Sequence, residues 1–215
     1  MNYRIPIETS ARHLHLCRED FDRLFGEGKD LNPLKELSQP GQYVAKERLT
    51  VTGPGGTFQN VAIIGPLRSV TQMEISVTDA RRLGVPAVIR QSGDIAGTPG
   101  MTLTSEKASI QVEHGVIVAQ RHIHITPSEA IHMHLEDNDE VFVIVDSNSR
   151  SLIFGNVTVR VSRNARLAMH VDTDESNAFS GVEQPYGVAV KSIGGTSSRD
   201  LNGWMQELLM GIHRR

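Results

Sequence analysis

The sequence predicts a mainly β protein with a few short helices, and three observations carry that prediction. Short alternating runs recur at close spacing and stop at Gly/Pro turns, helical runs are few, and an Arg-His-x-His segment occurs twice in matched surroundings. Short strands spaced in this way favour small barrels or sandwiches.

The strands can be taken in order. Residues 48–52 alternate and stop at Gly53-Pro54-Gly55-Gly56, and 58–64 resume before Gly65-Pro66. Three further runs follow at 101–104, 108–112 and 116–120, and two more at 140–146 and 151–161. Helices are expected at 18–25, 78–83, 127–135 and 202–212. The stretch 194–200, Gly-Gly-Thr-Ser-Ser-Arg-Asp, reads as a linker to the last of these.

Composition bounds the function. The chain has 215 residues, with 22 Lys plus Arg, 25 Asp plus Glu and a net charge of -3. No basic excess points to nucleic acid. Aromatic residues are 5%, so the core is expected to be aliphatic. No apolar run approaches the ~18–20 residues of a membrane span, and the first residues lack the apolar stretch of a signal peptide. The one cysteine, Cys17, excludes an internal disulfide. A reducing, cytoplasmic setting is therefore expected.

The internal repeat organises the chain. Ser10-Ala11-Arg12-His13-Leu14-His15-Leu16-Cys17-Arg18-Glu19-Asp20 matches Ala119-Gln120-Arg121-His122-Ile123-His124-Ile125-Thr126-Pro127-Ser128-Glu129. In the second copy Thr126, Pro127 and Glu129 spell a capping box with proline at the first helical position. The repeat continues at Asn60-Val61 and Asn156-Val157, and Glu74 and His170 each stand fourteen residues after the asparagine.

On a strand, residues i and i+2 share a face. His13 and His15 can aim two imidazoles at one ion, and so can His122 and His124. Zinc accepts imidazole nitrogen and carboxylate oxygen, and its catalytic sites keep a position open. One half then offers His13, His15 and Glu74, and the other His122, His124 and His170. A lone His-x-His is more often a pair of ordinary strand residues; the matched duplication is what favours a metal. His132 and His134 share the spacing but fall in an expected helix, where i and i+2 diverge. His114, before Gly115, reads as a turn residue. A rival set, His13-x-His15-xxx-Glu19, has a cupin-type spacing, and Glu129 would be its near-equivalent in the second half; the capping box explains Glu129 locally. Arg68 can grip a phosphate in a bidentate fork. Cys17 reads as the N-cap of the helix at 18–25 rather than as a nucleophile.

These residues resemble those of the phosphate propanoyltransferases, the propanediol-utilisation type of phosphotransacylase. The resemblance rests on Ser10–Leu16, Leu34–Gln42, Gly65-Pro66-Leu67-Arg68, Thr71–Ser76, Arg121–His124 and His170–Ala178, and runs from about residue 4 to 190. It implies two zinc ions, one on His13, His15 and Glu74 and the other on His122, His124 and His170. It implies Arg68 as the phosphate-binding catalytic residue, and Thr9, Ser10, Ala11 and Asn177 as contacts of coenzyme A. The fold implied is a pair of small β-barrels with the active site between them, usually in a homodimer. Residues 1–11 with 120–191 would form the first barrel, 12–119 the second, and 192–215 a linker and tail helix.

The implied reaction is reversible: a short-chain acyl-CoA, such as propanoyl- or acetyl-CoA, and phosphate give acyl phosphate and coenzyme A, by direct attack of phosphate. The alternatives are a cupin-like or other metal-dependent hydrolase or oxygenase, and a non-catalytic zinc module. Family members often carry basic residues where this chain has Gly55 and Ala62, both expected near coenzyme A. Members directed to a microcompartment carry an N-terminal extension, and about ten residues precede the first motif here.

Overall fold

The computed structural model describes residues 4–146, 150–179, 184–193 and 196–197. In chain order the elements are β1 (Ile5–Thr9), β2 (His13–His15), α1 (Arg18–Phe25), β3 (Pro33–Glu36), β4 (Tyr43–Thr52), β5 (Thr57–Gly65), β6 (Gln72–Ile75) and α2 (Val77–Leu83). They continue with β7 (Ile89–Arg90), β8 (Met101–Thr104), β9 (Ser109–Val112), β10 (Val116–Ala119), β11 (His122–Ile125), α3 (Pro127–Met133), β12 (Glu140–Val145) and β13 (Leu152–Val161). The last are β14 (Ala168–Val171), α4 (Thr173–Ala178), β15 (Tyr186–Val190), β16 (Ser192–Ile193) and β17 (Thr196–Ser197). The molecule is mainly β with short helices, as the sequence predicts. The expected helix at 202–212 lies outside the described residues, while β16 and β17 pair with each other around the start of the stretch read as a linker.

The chain divides into two compact units. One takes the N-terminal residues through Thr9, Arg121–Val171 and the residues from Glu175 on; the other takes Ser10–Gln120 with Asp172–Asp174. In the first unit six strands close a barrel in the order β1-β14-β11-β13-β12-β15. Its core is aliphatic, built on Ile5, Ile123, Ile125, Val141, Val143, Val157, Val159 and Met169. In the second unit the path β7-β10-β6-β2-β5-β4-β8-β9 stays open as a half-barrel, with β3 on the flank of β4. It encloses a separate core that includes Leu14, Leu16, Phe21, Leu24, Leu49, Ile63, Met73 and Leu103.

The sequence repeat is a repeat of strand register. In the second unit β2 runs parallel to β5 with His13 beside Ala62, and antiparallel to β6 with His13 beside Glu74. In the first unit β11 runs parallel to β13 with His122 beside Thr158, and antiparallel to β14 with His122 beside His170. A further strand completes each set. Parallel β10 puts Ile117 beside Glu74, and parallel β1 puts Glu8 beside His170. Each copy of the repeat therefore sends its leading strand into one unit and its His-x-His strand into the other.

The repeated asparagines mark a shared irregularity. Asn60 has φ 60° and Asn156 φ 51°, a left-handed conformation that asparagine tolerates better than most residues. Each sits where the pairing with the neighbouring strand shifts register. In a regular strand Phe58 and Val61, three apart, would face opposite sides. The bulge residue lets both turn inward, and Phe58, Val61, Phe154 and Val157 are all buried.

Candidate metal centres

Strand alternation sets the histidine faces. Leu14 and Leu16 point into one core and Ile123 and Ile125 into the other, which leaves His13, His15, His122 and His124 on the opposite faces of their strands. His13, His15 and Glu74 are nonetheless buried, at 5%, 2% and 9% exposure.

In the second unit both imidazoles are oriented by backbone. His13 Nδ1 lies 2.9 Å from the Ala11 carbonyl, and His15 Nδ1 3.0 Å from the Ile64 carbonyl. A carbonyl only accepts, so each Nδ1 carries the hydrogen, and in the neutral ring Nε2 presents a lone pair. The two Nε2 atoms stand 3.2 Å apart, and Glu74 oxygens lie 3.7 and 3.8 Å from them. Two lone pairs and a carboxylate aimed at one point repel one another unless a cation sits among them, so this donor set fits a divalent metal. Burial, then the charges of His13 and Arg68, push the His15 imidazole down to about 3, which keeps it a neutral donor at physiological pH.

The first unit repeats the arrangement with a third imidazole. His122 Nε2 and His124 Nε2 are 3.0 Å apart, and the His170 ring lies 5.4 Å from one and 4.7 Å from the other. Burial, then the charges of His122 and His170, push His124 down to about 3. In each triad the potential ligand atoms lie within 4.8 Å of one another. Among the described residues these are the two groups of three or more His, Cys, Asp or Glu side chains placed to hold an ion. Glu19, in the first turn of α1, belongs to neither. Glu129 closes the expected capping box, accepting from the Thr126 backbone at 3.0 Å and from its hydroxyl at 2.6 Å. His132 is held at the Ser128 carbonyl, and His114 at the Thr98 carbonyl beside Gly115.

Arg68 joins the first triad through a short chain of hydrogen bonds. It donates to Ser92 Oγ at 2.9 Å, as Gln72 Nε2 also does, and Gln72 Nε2 donates to Glu74 Oε1 at 2.7 Å. Cys17 stands at the N-cap of α1 but makes no capping bond; its thiol donates to Asp20 and accepts from Thr71. Thr9 shares a hydrogen bond with Ser176, next to the exposed Asn177, and Ser10 Oγ lies 3.4 Å from His13 Nδ1. Gly55 has no room for a side chain: a Cβ there would stand 2.7 Å from the Gly84 Cα. Ala62 faces Arg48 across the β4–β5 ladder.

Sequence reasoning missed three features of these centres. Glu8 places a carboxylate oxygen 3.2 Å from His170 Nε2. Its signal is the alternation of β1, but the strand that pairs with it lies 162 positions away. Ser92 and Gln72, the links to Arg68, carry no pattern of their own. Arg12 and Arg121 were legible only as flanking letters of the motif. Arg12 grips Asp79 through two bonds of 3.0 and 2.8 Å and lies over the Phe58 ring at 4.5 Å. Arg121 pairs with Glu175 at 2.9 Å and lies over the Phe154 ring at 5.3 Å.

Comparison with known proteins places the chain in a family. The family model of phosphate propanoyltransferase matches residues 6–182. A phosphate propanoyltransferase of Citrobacter freundii is 51% identical over 185 residues, 86% of this chain and 87% of the relative. One from Thermotoga maritima is 52% identical over 174 residues, 81% of this chain and 83% of the relative. One from Salmonella typhimurium is 49% identical over 185 residues, 86% and 87% of the two chains. The chain belongs to the phosphate propanoyltransferase family and is an enzyme of the phosphate acyltransferase class.

Proposed function

We propose that this enzyme converts a short-chain acyl-CoA and phosphate to acyl phosphate and coenzyme A, reversibly, with two zinc ions held by His13, His15 and Glu74 and by His122, His124 and His170. The observation that carries the reading is the pair of donor triads built at one register in the two units, one of them tied through Gln72 and Ser92 to Arg68. Membership of a family of this name is what favours acyl transfer over a metal-dependent hydrolase.

The residues have definite tasks in this reading. Arg68 binds phosphate through its fork and aims one phosphate oxygen at the thioester carbonyl. Ser92 accepts from both Arg68 and Gln72, which fixes the guanidinium relative to Glu74. The phosphate oxygen forms the new bond to the acyl carbon, the carbon–sulfur bond breaks, and the electron pair leaves on the coenzyme A thiolate. Bound zinc supplies Lewis-acid stabilisation of the charge on the carbonyl oxygen and a soft partner for the departing sulfur. Thr9, Ser10, Ala11 and Asn177 hold coenzyme A. Cys17 is not needed, because phosphate is itself the nucleophile.

The test is coenzyme A release from acetyl-CoA and propanoyl-CoA, with and without phosphate, on protein of measured metal content, with acyl phosphate trapped as hydroxamate. Release that requires phosphate and yields the hydroxamate supports the reading. Phosphate-independent release would make the enzyme a thioester hydrolase and overturn it.

A further inference from the structure

Each His-x-His strand is short, and its ladder ends at the ligands. β2 pairs with β6 through His13–Glu74, Leu14–Met73 and His15–Gln72, and no pair lies beyond His13. β11 pairs with β14 through His122–His170, Ile123–Met169 and His124–Ala168, and stops at His122. Two ligands of each triad thus sit at the last pair of this antiparallel ladder, and on the parallel side of β11 the Thr158 N–H still donates to the Arg121 carbonyl at 3.1 Å. Zinc–ligand bonds are held to about 2.0–2.2 Å, so a drift of a few tenths of an ångström there matters.

The residue just past each ladder end is the arginine. Arg12 reaches Asp79, in α2, the helix that follows the Glu74 strand. Arg121 reaches Glu175, in α4, the helix that follows the His170 strand. Each carboxylate stands five residues after the third ligand of its triad, and each guanidinium lies over the phenylalanine that the bulge turns inward. The two units keep the three-part tie although the carboxylate is Asp in one and Glu in the other, and α2 has seven residues where α4 has six. The Asp79 side chain is only 7% exposed and would be left without its guanidinium if Arg12 were lost.

We infer that Arg12 and Arg121 are positioning residues for metal. Each clamps the open end of its His-x-His strand to the helix after the third ligand, and so sets the geometry of its own triad. The inference rests on the two-metal reading above. Planarity matters, because a lysine carries the charge without the fork or the flat face that lies on the ring.

The experiment uses the full chain carrying Arg12→Lys, Asp79→Asn, Arg121→Lys or Glu175→Gln. Each is also made beside His122→Ala or His13→Ala, so that one site is read at a time. Zinc affinity is measured by competition with a chromophoric chelator, Co²⁺ geometry by its visible absorption, and stability by thermal unfolding of the metal-free protein. Arg12→Lys and Asp79→Asn are expected to weaken the His13 site about ten- to a hundredfold, the range for outer partners of metal ligands, and to change its Co²⁺ spectrum. The His122 site should keep the parental affinity, and Arg121→Lys and Glu175→Gln should show the converse. Parental affinity and spectrum at the variant's own site, with or without a lower melting temperature, would reduce the tie to a structural ion pair. Equal weakening of both sites would also overturn the inference. A parent protein that binds no zinc would overturn the two-metal reading itself, an outcome distinct from either.

Discussion

Arg68 is held by Ser92, whose hydroxyl also takes a hydrogen bond from the glutamine that touches Glu74. It should therefore act through phosphate. Losing one charge-assisted contact costs on the order of 1.5–3 kcal/mol, which is about a ten- to hundredfold weaker use of phosphate. Arg68→Lys should raise the phosphate KM or lower kcat by that factor, with coenzyme A affinity and zinc content near parental. Steady-state kinetics and metal analysis on one preparation check this, and an Arg68→Lys enzyme that handles phosphate like the parent would refute it. For the ligands, His13→Ala and His122→Ala should each lose about one zinc, whereas His132→Ala should lose none, since that ring is exposed and held at Ser128. Atomic absorption on the three variants decides, and unchanged zinc in all three would remove the assignment. The two triads were legible because strand alternation and duplication leave a pattern in the letters, whereas Arg68 has no repeat partner and stood out only by its place before Glu74 and by the family resemblance. Glu8, Gln72 and Ser92 were not, because their roles come from strands and loops distant in sequence that the register brings alongside.

Secondary structure was legible where local chemistry decides it. The capping box predicts the start of α3, and alternation predicts β5, β8 and β13 to within a residue at each end but only the second half of β4. α4 was missed because its sequence, Thr-Asp-Glu-Ser-Asn-Ala, has no buried residue and so no apolar period. The Arg121–Glu175 pair and the neighbouring strand give it context that the letters lack. Gly55 and Gly84 show an element-level constraint of a different kind. Gly84 ends α2 in the left-handed region, φ 77°, and the Gly55 amide packs on it while donating to the Leu83 carbonyl at 2.9 Å. Space for a Cβ is missing at both positions. Restoring a basic residue by Gly55→Lys should therefore destabilise the second unit by about 1–3 kcal/mol, the usual cost of overpacking. Thermal unfolding followed by circular dichroism measures it. A parental melting temperature would mean that the α2 C-cap yields, and that glycine here reflects something other than space.

Taken as a whole chain, the two units have separate cores, and each carries a histidine whose burial disfavours its charged form. This couples folding to pH whenever metal is absent. His15 in one unit and His124 in the other are each pushed to about 3, chiefly by burial. Their ordinary value is about 6.5 in an unfolded chain. Between these limits the unfolded chain binds a proton that the folded chain refuses, so ΔG of unfolding rises with pH across the window. Stability is complete above about pH 6.5 and is lost progressively as pH falls toward 3. Each histidine contributes a slope of at most about 1.4 kcal/mol per pH unit. Urea unfolding of chelator-treated protein from pH 7.5 to 4 should show midpoints falling steadily with acid. His15→Gln removes one titrating group while keeping a neutral side chain, so its slope should be the shallower by about that amount in the second unit's transition. A His15→Gln slope equal to the parent's would show that the proton is taken up elsewhere. Zinc should flatten the profile in the parent near neutral pH, because ligand binding to the folded state alone adds stability by mass action. The same ion should then be released at the acid end of the window, as protons compete for the imidazole lone pairs.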